Sequence, residues 1–143
     1  MLTLGNKRLV RLMAQNIVAI FIVNTLAIYL YLYNALWWFD MPMHFWGGAW
    51  LMTLVLATRL VIRPTDTTSD PMQVTRRTWL FALLFVFLIG FAWEAFEYIV
   101  QWYTGANLAT PLDSISDLFF DMAGGVLMWL HLMKKKIIVW KRA

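Results

Sequence analysis

Four apolar stretches, each long enough to cross a hydrocarbon core as a helix, dominate this chain of 143 residues. They run over residues 9–39, 43–62, 79–102 and 118–133 and predict helices over about 9–39, 43–62, 71–102 and 117–136, where a membrane core takes about 20 apolar residues in helical form. Hydrophobic residues make up 62% of the chain and charged ones 14%, where an ordinary soluble domain has about 25% charged. A soluble domain of this size buries too little of its surface to hide that much apolar area from water. The pattern predicts an all-α polytopic membrane protein, a single integral domain built as a bundle of four transmembrane helices. The first stretch is too long for a signal peptide and no small-residue cleavage site follows it, so it is read as a retained helix. With no cysteine in the chain, disulfide frameworks, thiolate metal sites and cysteine nucleophiles are excluded.

Helix-start signals agree with these spans. Asp40 precedes Met41-Pro42, Asp70-Pro71 precedes the third stretch, and Ser114 or Ser116 is placed to cap the fourth; short polar acceptors at the N-cap and proline in the first turn satisfy or remove unpaired N–H groups. All 12 basic residues fall on one side of a four-span bundle. Lys7, Arg8 and Arg11 precede the first span, Arg59, Arg63, Arg76 and Arg77 flank the loop between the second and third, and Lys134, Lys135, Lys136, Lys141 and Arg142 follow the fourth. The positive-inside rule makes that side the cytoplasm, with both termini there. Trp37, Trp38, Trp102 and Tyr103 mark the outer boundary, and Trp79 and Trp140 the inner one, as aromatic belts do.

The acids are distributed differently. Asp66 and Asp70 lie in the cytoplasmic loop, while Asp40, Glu94, Glu97, Asp113, Asp117 and Asp121 lie in the outer half or outer loop, together with His44 and without a Lys or Arg. At 1.5 Å of rise per residue, Glu97 lies about 7 Å and Glu94 about 12 Å inside Trp102, and His44 and Asp121 about 6 Å inside Asp40 and Asp117. A carboxylate facing lipid there costs about 3 kcal/mol on insertion scales, so these groups face the interior. Their spacing agrees: Glu94 and Glu97 are i, i+3, Asp117 and Asp121 are i, i+4, and Asp40, His44 and Gly48 share a face. The pairs Gly47-Gly48 and Gly124-Gly125 allow backbones to approach closely at the same level.

Like charges at that depth either share protons or hold a cation. Carboxylates with one imidazole suit a divalent metal ion, magnesium or calcium where oxygen dominates, and manganese, iron or zinc where His44 binds. The ligand set read from the sequence is His44, Glu94, Glu97, Asp117 and Asp121, with Asp40 and Asp113 at the mouth and Glu94 or Glu97 as general base. Plainer readings stand beside it. Asp40 serves as a helix cap, Asp113 as a loop or cap residue, Asp117 as a first-turn acid favoured by the helix dipole, and His44 as an interior histidine bonded to one carboxylate. Two Glu-x-x-His motifs, as in di-iron bundles, are missing, as are GxSxG, HExxH and a phosphate-cradling glycine loop. The basic tail reads as an orientation signal and a contact for anionic membrane lipids, with no nucleic-acid partner.

The order DMPMHFWGG, GFAWEAFEYIVQW and LDSISDLFFDMAGG resembles the small YjdF-type bacterial inner-membrane proteins and, more distantly, the VanZ-like proteins. The matching positions are Asp40, His44, Glu94, Glu97, Asp113, Asp117, Asp121 and Gly124, over residues 40–130. Met41 stands where a basic residue is usual, and Asp121 where the VanZ-like pattern has Asn. The resemblance implies an outward-facing polar site in a prokaryotic plasma membrane; VanZ-like proteins are linked to glycopeptide resistance. Three functions fit these residues: a metal-dependent enzyme acting on an envelope or lipid-linked substrate, a proton- or cation-coupled carrier using the acids as a relay, and a non-catalytic accessory membrane protein.

Overall fold

A computed structural model describes residues 3–62, 71–105 and 110–141. Helix α1, Leu4–Tyr29, begins at Thr3, whose hydroxyl accepts the Asn6 N–H. Its 26 residues reach about 39 Å, enough to cross a bilayer core. The first helix does not continue to residue 39 as the apolar run suggested. Tyr31 adopts a left-handed conformation, φ 56°, and the chain turns into the short helix α2, Leu32–Ala35. The Tyr33 hydroxyl then donates to Asn24 Oδ1 at 2.6 Å, tying α2 back against α1.

Helix α3 spans Asp40–Ile62, with Asp40 in its first turn. Strand β1, Met72–Val74, occupies the place expected for the first turn of the third helix, and α4 runs from Arg76 to Thr104. Its N-cap is Thr75 rather than Asp70: Thr75 and Thr78 form a reciprocal capping box, and the Arg59 guanidinium also donates to Thr78. Asp70 lies outside the described residues, as do Arg63, Asp66 and Arg142. Helix α5, Pro111–Lys134, starts earlier than expected, because Thr110 caps it and Pro111 fills the first turn instead of Ser114 or Ser116. Beyond α5, Lys136 takes φ 52° and turns the chain into β2, Ile138–Trp140. The strands pair in parallel, Met72 opposite Ile138 and Val74 opposite Trp140, an addition to the all-helical expectation.

Among the described residues, three helices, α1, α4 and α5, are long and apolar enough to cross a membrane. The fourth long helix, α3, carries Asp40, His44, Thr53, Thr58 and Arg59 and lies at the centre. It packs along α5, with α1 on its other side and α4 closing against α5 and α3. Leu9, Met52, Leu56, Val86, Trp129 and Leu132 form the dry core, continued at one end by Met72, Val74 and Ile138. Phe21, Ile22 and Leu26 of α1, Phe81, Leu84 and Leu88 of α4, and Phe119, Leu127 and Leu130 of α5 point outward and exposed. An apolar exterior of this extent is a lipid-facing surface.

Candidate functional site

Glycines set the geometry of the site. A Cβ on Gly48 would run into the Asp121 backbone, one on Gly124 would meet the Phe45 carbonyl oxygen, and one on Gly90 would strike the Asp121 carboxylate. Small residues let helices approach this closely, so α3, α4 and α5 converge on the side chain of Asp121. The Asp121 carboxylate is thereby wedged between closely approaching backbones.

His44 is the hub. Its Nδ1 lies 3.4 Å from Asp121 Oδ2. On the other edge of the ring, Nε2 lies 3.7 Å from Asp40 Oδ1 and 3.9 Å from Glu94 Oε1. His44, Glu94, Asp117 and Asp121 are 7%, 8%, 4% and 4% exposed. Asp40 is half-buried and contacts His44 from the more exposed side of the cluster. Asp113 is exposed one turn before Asp117.

Single ligand atoms of His44, Glu94 and Glu97 all lie within 4.8 Å of one another, and the same is true of Asp40, His44 and Asp117. A cation with ligands at about 2.2 Å bridges donors about 4.4 Å apart across its centre, so either set needs only a small contraction to hold one ion. Glu94 Oε1 is buried and accepts no hydrogen bond. Glu97 is held differently: its Oε1 accepts the Trp93 indole N–H at 2.9 Å. Five carboxylates surround one imidazole, and among the described residues every ion pair around them involves His44. Buried acids in that excess, one of them unsatisfied, call for neutralisation by protons or a cation.

Beside the cluster, a cavity of about 550 Å³ opens between α1, α3 and α4. One wall carries Asp40, His44, Glu97 and Asp121, and Asn24 and Tyr33 also line it. Ile17, Ile20, Met43, Leu51 and Ile89 make the rest largely apolar. The volume is that of a small-molecule pocket. Helix α1 is fixed beside it through α3, where the Trp46 indole donates to Asn16 Oδ1 and the Trp50 indole to the Met13 carbonyl. Sequence spacing located the acids but missed Tyr33 and Trp93; Trp93 looked like packing, although Trp93 and Glu97 are i, i+4 and therefore within reach.

No curated protein and no solved structure matches the chain. A family model, DUF2238, described as a predicted membrane protein, matches residues 3–136. That stretch contains all the described helices and the whole acidic cluster, and the chain belongs to the DUF2238 family of membrane proteins.

Proposed function

We propose that this protein is a four-helix integral protein of the prokaryotic plasma membrane, both termini cytoplasmic, whose acidic cluster is an outward-facing divalent-cation site used by a metal-dependent enzyme on a lipid-linked or envelope substrate. The observation that carries this reading is Glu94 Oε1, a buried carboxylate oxygen without a hydrogen bond, aimed toward His44 Nε2. A proton on His44 Nδ1, facing Asp121, leaves the Nε2 lone pair directed at the Asp40 and Glu94 side. A carboxylate behind the imidazole is the usual orienting partner of a metal-binding histidine. His44, Glu94 and Glu97 supply the cation's ligands, and Asp121 positions the ring.

The cavity supports the substrate class. Its apolar walls accept a lipid chain while Asp40 and Glu97 meet a polar head. A cation held there would supply Lewis acidity, and Glu97, on the cavity wall, would offer the carboxylate oxygen not bound to the ion as the group that takes a proton from water. The resemblance to YjdF-type and VanZ-like proteins adds the expected outward orientation. A carrier needs a polar path onward from Asp121, and that face continues through Gly124 and Met128 beside the core residues Val86 and Trp129.

The test is thermal stability of the purified protein in detergent, with chelator and then with magnesium, calcium, manganese or zinc. A bound cation stabilises the folded state by mass action, about 2.7 kcal/mol at 100 times the dissociation constant. Glu94→Gln and Asp121→Asn lose most of that gain. No metal-dependent shift in the unmodified protein, with equal or higher stability in both variants, replaces the cation by shared protons.

A further inference from the structure

At the other end of the bundle, a cavity of about 300 Å³ lies between α1 and the end of α5. Arg8, Arg11 and Gln15 line it from α1, His131 and Lys135 from the end of α5, and buried Ile137 closes it. The spacings i, i+3 and i, i+4 put each helix's contributions on one face. Among the described residues, none of Arg8, Arg11, His131 and Lys135 forms an ion pair. Every acid among the described residues lies in or next to the cluster around His44, away from this cavity.

We propose that this cavity binds a phosphate-bearing anion, supplied by the headgroup of an anionic phospholipid. Two guanidinium groups offer paired N–H donors that match phosphate oxygens, and Lys135 adds a point charge. Basic pockets between helices on the cytoplasmic side suit anionic headgroups. A lipid is favoured over a free ion because the cavity sits at the end of an apolar bundle, where exposed residues such as Val18 of α1 and Leu127 of α5 offer a surface for acyl chains. None of these residues touches the acidic cluster, so this site stands or falls separately from the cation site.

The experiment is native mass spectrometry of the full chain released from micelles containing equal phosphatidylglycerol and phosphatidylcholine. The unmodified protein retains phosphatidylglycerol in preference. Each of Arg8→Gln, Arg11→Gln and Lys135→Gln lowers that retention about five-fold, the effect of one basic residue near an anionic surface, and the triple variant abolishes it. Lys7→Gln, Lys134→Gln and Lys136→Gln combined remove as much charge from neighbouring positions and leave retention unchanged. Equal losses in the two triple variants, or no loss in the first, overturn the site. Inorganic phosphate is the second probe: failure of millimolar phosphate to displace the lipid supports the headgroup, and displacement overturns it in favour of a free anion. Unchanged thermal midpoints show that both triple variants are folded.

Discussion

Lys134, Lys135 and Lys136 lie on the surface, at the end of α5, while Asp117 and Asp121, on the same helix, are 4% exposed. One helix thus holds charge in two ways. At its basic end the side chains reach water or headgroups on flexible stems, and their placement needs no packing. At its acidic end the carboxylates sit inside the bundle, where Gly48, Gly90 and Gly124 make room for them. The contrast teaches where to look for chemistry in a chain of this kind. Exposed charge at a helix end records orientation, whereas charge enclosed by close-packed backbones has been retained against a cost of several kcal/mol.

The largest test of that contrast is all-or-none. Reporter domains inserted at Gly105, beside the acidic end, read external, and fusions after Lys141, at the basic end, read cytoplasmic. A cytoplasmic signal at Gly105 reverses the outward reading of the site and removes the depth argument for its acids.

Next in size is the packing that separates the ends. Gly124→Ala places a methyl against the Phe45 carbonyl, on backbone that cannot swing aside, and lowers stability by about 3 kcal/mol. Gly47→Ala is the control, since its Cβ would lie 3.8 Å from the Asp121 carboxylate in ordinary contact. It is neutral or raises stability by up to about 1 kcal/mol through helix propensity. Thermal midpoints in detergent compare the two, and equal effects would show that α3 and α5 are not in backbone contact.

The smallest effect concerns the supports of the cavity. Tyr33→Phe deletes the bond to Asn24 and Trp93→Phe the bond to Glu97, each worth about 1 kcal/mol. The Trp93 change also alters metal-dependent stabilisation, because it frees a carboxylate of the cluster, and the Tyr33 change does not. A Trp93 variant with an unaltered metal response would remove Glu97 from the ligand set.

The acidic end was legible in the sequence because two local signals coincide, acids at helical spacing and no base beside them. Asp40 was harder to place. A first-turn aspartate satisfies capping and dipole rules by itself, and nothing local distinguishes that role from a contact with His44 one turn later. The end of α1 was hidden because YLYNALWWF remains apolar after the helix stops, and the break rests on the single backbone conformation of Tyr31. Strand β1 was masked by Asp70-Pro71, which imitates a helix start. Its alternation of buried Met72, exposed Gln73 and buried Val74 spans too few residues to compete, and its partner lies far along the chain.

That distant partner gives the small sheet a role in timing. Residues 72–74 leave the ribosome well before 138–140, and between them come two helices that must first enter the membrane. The Met72 N–H bond to Ile137 and the Lys141 N–H bond to Val74 therefore form last, after α5 is in place. Until then Met72 and Val74 lack their strand partners Ile138 and Trp140. The sheet works as a latch that closes only on a completed set of helices, which makes its pairing a marker for separating assembled protein from insertion intermediates.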